Sequence, residues 1–136
     1  MTPEKSEFVS RRLTKAKETL NEVDILIENK LWNTSVNRLY YACFYAVIAS
    51  LHNDELNSKT HAGAQRLFNA HFVKTGVISK DHARFYSSLF EMRQDADYED
   101  MVDYEKEEVI KLLQPAHDFI AAIEKILVGT KNNTEK

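Results

Sequence analysis

A chain of 136 residues with a formal net charge of −3 and 43% hydrophobic side chains is long enough to bury one core without metal or disulfide support. Three glycines and two prolines supply too few turn formers for an all-β fold, and the Leu, Ala, Glu and Lys content suits helices, so the chain reads as all-α. The acidic balance argues against a dedicated nucleic-acid binder, the single Cys43 excludes an internal disulfide, and no apolar run approaches the roughly 20 residues of a membrane span, so a cytoplasmic setting is expected.

The first helix is expected from Pro3 to about Glu28, with Thr2 as N-cap and Pro3 at the first helical position, where a missing N–H costs nothing. Val9, Leu13, Ala16, Leu20, Val23 and Ile27 draw one apolar seam along it. The second helix, roughly Trp32 to His52, is apolar on every side and is therefore central; Ala42, Ala46 and Ala49 allow a neighbouring backbone close approach. A polar loop follows, with Ser58 or Thr60 capping a third helix that carries Ala64, Leu67, Phe68, Phe72 and a core histidine, His71. Gly76 ends that helix in a left-handed conformation, and Ser79 caps a fourth with Asp81 in its first turn. Asp97 to Asp103 forms an acidic connection, and Asp103 caps a long last helix that kinks at Pro115 and stops at Gly129. The domain thus spans residues 1–129, and 130–136 form a flexible tail.

The segment Glu91 to Tyr98 stands out against this scaffold. Phe85, Tyr86, Leu89, Phe90, Met92 and Ala96 share an apolar stripe, and Arg93 falls near its middle. A guanidinium buried there without compensation costs several kcal/mol, so Arg93 needs a partner. On a continuous helix Asp97 lies about 40° round from Arg93 and pairs with it, whereas Tyr98, about 140° away, converges only if the helix breaks. Either this pair fastens the fourth helix to its neighbours, or the segment is a ligand site. Charge changes sign at the same place: residues 57–94 carry six Lys or Arg against two acids, and residues 95–108 carry eight acids against Lys106.

Elsewhere, Arg38, Tyr41 and Tyr45 are one turn apart on the second helix and are expected to form a hydrogen-bonded polar strip. Lys59 and His61, at a helix start, are placed for a phosphate contact. The histidines lack metal spacing, there is no Cys-X-X-Cys and no glycine-rich phosphate loop, so neither metal nor cofactor is expected.

Four blocks, Asn37 to Ala46, Lys59 to Gly63, Phe72 to Gly76 and Arg93 to Tyr98, in that order resemble the HEPN superfamily across nearly the whole chain. It is similar to the small stand-alone prokaryotic HEPN proteins often encoded beside a minimal nucleotidyltransferase. The resemblance implies an antiparallel bundle of four to five helices, usually a homodimer, whose active members are metal-independent ribonucleases. In those an arginine, commonly followed by a polar residue, precedes a histidine with four to six residues between them. Arg93 and Gln94 match the first part, but Tyr98 stands where the histidine is expected. A phenol with an ordinary pKa near 10 is poorly suited to proton transfer at neutral pH, where histidine near 6.5 is well suited. What the resemblance implies is therefore the toxin-like component of a toxin–antitoxin pair, binding nucleotide, RNA or its nucleotidyltransferase partner through Arg93 to Tyr98. Arg93 and Tyr98 are the candidate catalytic pair, with Gln94, Asp97, Arg38, Tyr41, Lys59 and His61 as binding or interface residues. The alternatives are an endoribonuclease with a degenerate motif and a purely structural helical dimer.

Overall fold

The computed structural model describes residues 2–97 and 102–134, and all regular structure among them is helical. The elements are α1 (Pro3–Glu28), α2 (Trp32–Asn53), α3 (His61–Phe68), which runs on into a wider π-helical turn (Asn69–Val73), α4 (Lys80–Asp97), α5 (Lys106–Ile110) and α6 (Leu113–Thr134). Helix α2 is central: it packs against each of the other five helices, and twelve of its residues are buried, among them Leu39, Tyr40, Cys43, Ala46 and Val47. Ala42, Ala46 and Ala49 are fully buried. Pairings between ends show that α1 and α2 run antiparallel: Lys5 reaches Glu55 at 3.3 Å, and Arg38 lies 3.9 Å from Glu22. Helix α4 also opposes α2, since Asp97 meets Asn37 while Tyr86 stacks beside Tyr40.

The seam of α1 is buried as its spacing requires, through Val9, Ala16, Leu20 and Val23, with Leu13 and Ile27 packed against the same core. Thr2 Oγ1 accepts the Lys5 N–H at 3.1 Å, which satisfies one of the free donors at the helix start. Both long helices end in the same motif without the usual glycine. Leu31 N–H reaches the Leu26 carbonyl and Lys30 N–H the Ile27 carbonyl, with Lys30 at φ 59°. Leu56 to Leu51 and Glu55 to His52 repeat the pattern, with Glu55 at φ 62°.

Three features differ from expectation. The last helix breaks at Lys111 and Leu112 rather than bending through Pro115. Proline has no N–H for the carbonyl four residues back, which is that of Lys111, and its ring crowds the same group; Pro115 therefore sits in the first turn of a new helix. The cap is Glu105, not Asp103: the Glu105 N–H donates to the Glu108 carboxylate at 3.2 Å. Gly129 does not end α6, which continues to Thr134; glycine weakens a helix interior by about 1 kcal/mol but does not forbid it.

Residues 102–105, ahead of α5, are pinned to the bundle. The Asn33 side chain donates to the Val102 carbonyl at 2.8 Å and accepts from the Tyr104 N–H at 3.0 Å. The Tyr104 hydroxyl donates to the Met92 carbonyl at 3.0 Å, beside Arg93 in sequence. The far side of the core is aromatic: Phe119 is fully buried, stacks on Tyr86 with ring centres 5.3 Å apart and meets Phe68 at 5.8 Å.

Two variants test this packing by urea unfolding. Phe119→Ala is expected to lose about 3–5 kcal/mol, the range for emptying a buried aromatic site. Lys30→Gly is expected to gain about 0.5–1 kcal/mol, because glycine adopts the left-handed conformation without the Cβ clash and gives back only part of this in unfolded-chain entropy.

Candidate functional site

Arg93 is held where its periodicity places it, with its side chain only 15% exposed. Its guanidinium carbon lies 4.8 Å from the ring centre of Tyr40, 5.6 Å from Phe90 and 5.8 Å from Tyr41. The negative faces of these rings replace part of the water that the cation gives up. Asp97 supplies the expected ion pair, but loosely: Nη1 donates to Oδ2 at 3.3 Å, and the other carboxylate oxygen accepts from the Asn37 amide at 3.3 Å. Nε is buried and has no hydrogen-bond partner among the described residues. The cation is thus enclosed on its aromatic side and incompletely paired on its polar side.

His61 enters the same cluster from the first position of α3. The Thr60 hydroxyl caps that helix by accepting the Gly63 N–H at 2.9 Å. Gly63 leaves room for these hydroxyls, since a Cβ there would crowd Ser58 Oγ and Thr60 Oγ1 and turn the capping side chain aside. The imidazole lies over Phe44, ring centres 4.3 Å apart, and edge-on to Tyr41 at 5.7 Å. Its Nδ1 is 2.8 Å from the Tyr40 hydroxyl. Burial, and then the nearby Arg93 charge, lower the His61 pKa below 6.5. Burial pushes the Tyr40 phenol up to about 12 against smaller opposing effects of Tyr86 and Arg93. The Tyr86 phenol is raised for the same reason; its hydroxyl senses that of Tyr40 without reaching good hydrogen-bonding geometry.

Five expected residues therefore converge: Arg93, Asp97, His61, Tyr41 and Arg38, the last with its guanidinium 5.8 Å from the Tyr41 ring. Gln94 and Lys59 are exposed and make no side-chain contact of this kind with other described residues. Tyr98 lies outside the described residues; α4 is continuous through Asp97, so no helix break precedes it. The hydrogen-bonded strip expected of Arg38, Tyr41 and Tyr45 is instead a row of cations against aromatic faces, with Lys15 4.8 Å and Arg12 5.9 Å from the Tyr45 ring. His71 is not a core histidine: it is exposed, and its Nε2 meets the Asp54 carboxylate at 2.8 Å, because the π-helical turn rotates it off the apolar face that Phe72 keeps. Tyr40 and Asn37 lie in the first of the four family-like blocks but were not among the expected site residues; the available signal was a hydroxyl in the most buried helix, which needs a partner.

No group of three His, Cys, Asp or Glu side chains among the described residues is placed to hold a metal. None of the helices is long and apolar enough to cross a membrane.

A helical bundle whose central helix turns an aromatic face to a cation from α4 and an imidazole from α3 is the architecture of this domain. The chain belongs to the HEPN domain family, which it matches over residues 9–126. It is 37% identical over 128 residues to a UPF0332 protein of Thermotoga maritima, covering 94% of this chain and 97% of that protein. Two proteins of Methanocaldococcus jannaschii bear toxin names: "putative toxin MJ0142", 29% identical over 93% of this chain and 90% of its own length, and "putative toxin MJ0605", 37% identical over 82% and 83%.

The shifted pKa values set two pH limits on stability. Below pH 6.5 the unfolded chain takes up a proton that folded His61 resists, so stability is expected to fall as pH drops through that value and on through the lower folded one. Between pH 10 and about 12 the unfolded chain releases a Tyr40 proton that the fold retains, so stability falls as pH rises. Urea midpoints across both ranges check this. The acid-side slope should be shallower in His61→Gln, and an unchanged slope would assign it to another group.

Proposed function

We propose that this chain is the toxin-like HEPN component of a toxin–antitoxin pair with a nucleotidyltransferase partner, and that its Arg93 site binds the phosphate of a nucleotide or RNA. The observation that carries the reading is the state of Arg93: a guanidinium fixed against aromatic faces, with one buried donor unpaired among the described residues and a carboxylate at a long 3.3 Å. Such a cation is preorganised to exchange a weak intramolecular partner for a phosphate oxygen, and the aromatic rings around it suit a stacked base. The toxin names of two relatives support the biological setting. A homodimer fits the half-buried row Tyr41, Phe44, Tyr45 and Ile48, which follows helical spacing along one side of α2.

Titration calorimetry with adenosine monophosphate and with a short single-stranded RNA tests the site. Arg93→Ala is expected to weaken binding at least about tenfold, equivalent to about 1.4 kcal/mol. Equal affinity of wild type and Arg93→Ala would contradict the proposal. Cleavage of a structured RNA that disappears in Arg93→Ala would replace binding with ribonuclease activity.

A further inference from the structure

The Arg93 site contains a histidine that does not come from the segment following the arginine, and that histidine has one nitrogen already engaged. Tyr40 Oη and His61 Nδ1 are 2.8 Å apart and share one hydrogen bond. Two protons are available to it in principle, one on the phenol and one on the imidazole. A phenol O–H is a much better donor than a neutral imidazole N–H, and an imidazole lone pair is a better acceptor than a phenol oxygen. The other hydroxyl near Tyr40, that of Tyr86, lies outside good hydrogen-bonding geometry and does not compete for the proton. Tyr40 therefore donates, and Nδ1 accepts. In a singly protonated imidazole the remaining hydrogen must then reside on Nε2.

We infer that Tyr40 holds His61 with its proton on Nε2, so that His61 and Arg93 together present hydrogen-bond donors to one phosphate group and the histidine serves as a ligand-positioning donor rather than a base. This inference rests on the phosphate-binding reading of Arg93. Both side chains are seated on the same two rings: Tyr40 lies 4.8 Å from the Arg93 guanidinium carbon and 5.6 Å from the imidazole centre, and Tyr41 lies 5.8 Å and 5.7 Å from them. Among the described residues, the charged and titratable groups facing His61 are Tyr40 and Tyr41 from α2 and Arg93 from α4. None is an anion, so nothing among them favours the imidazolium. To take a proton from a ribose 2′-hydroxyl at Nε2, the imidazole would have to change tautomer and lose its bond from Tyr40. To give a proton to a leaving 5′-oxygen it would first have to be charged beside Arg93. What the arrangement offers without rearrangement is an N–H donor, which suits a nucleotide phosphate monoester or an RNA phosphodiester that is held and not cleaved.

Long-range proton–nitrogen NMR correlations on the full ¹⁵N-labelled chain read the tautomer directly. Wild-type His61 is expected to show the Nε2–H form, and Tyr40→Phe a mixture of both forms. Adenosine monophosphate is expected to shift the His61 ring signals in wild type and not in Arg93→Ala. His61→Asn, which keeps a neutral N–H donor but cannot act as a base, is expected to bind the nucleotide within about threefold of wild type, and His61→Ala about tenfold more weakly. The Nδ1–H form in wild type overturns the inference, as does nucleotide binding that needs Arg93 but leaves the His61 signals unmoved. Cleavage of a structured RNA that His61→Asn abolishes also overturns it, by making His61 the base. Absence of nucleotide binding with the Nε2–H form intact identifies a different failure, that of the Arg93 phosphate reading itself.

Discussion

Arg93 rests on Tyr40, and most of what is unusual about this bundle follows from that contact. Tyr40 is fully buried in the central helix, and its ring touches Tyr41, Phe44, His61, Tyr86 and Phe90 as well as the guanidinium. It links α2, α3 and α4 at one point. A charge this deep is tolerated because aromatic faces, a loose Asp97 pair and a narrow opening to solvent share the compensation. No single one of them neutralises it fully among the described residues, and the proposed phosphate site rests on that incompleteness. Tyr104, just ahead of α5, reinforces it, since its hydroxyl donates to the Met92 carbonyl immediately before Arg93.

The histidine is the second consequence of the same geometry. His61 comes from a different helix, well before Arg93 in sequence, yet the Thr60 cap and the space left by Gly63 deliver it to the Tyr40 hydroxyl. A family whose ribonucleases place a histidine shortly after the arginine here has tyrosine at that position and an imidazole arriving from another helix. The two arrangements differ chemically. An imidazole free at both nitrogens can exchange protons with substrate, whereas one that already accepts from a phenol is committed to donating.

Much of this was legible in the sequence, and the reasons differ from residue to residue. The seam of α1, the all-round burial of α2 and the inward position of Arg93 follow from a 3.6-residue period, which sequence displays directly. Asp97 as the partner of Arg93 followed from the same arithmetic. Thr2 and Ser79 as caps, and Thr60 as one of two candidates with Ser58, were readable because local hydrogen bonds depend on neighbours only a few residues away. The Tyr40–His61 bond was not readable, because it joins residues 21 apart whose meeting depends on how α3 lies across α2. The π-helical turn that moves His71 off the core face has no residue signature, and it alters the phase of everything beyond it. The break ahead of Pro115 was underestimated because apolar phase continues across it; the periodicity persists even though the Lys111 carbonyl has lost its donor.

Membership of the HEPN family and relatives bearing toxin names set the biological frame, and the aromatic cage around Arg93 sets the chemistry. The most direct measurement is a crystal structure of the chain with adenosine monophosphate bound. The account predicts a phosphate oxygen within hydrogen-bonding distance of the Arg93 guanidinium and of His61 Nε2, with Tyr40 still bonded to Nδ1. A nucleotide bound elsewhere, or one bound there with the Tyr40–His61 bond broken and Nε2 turned toward a ribose hydroxyl, would contradict it.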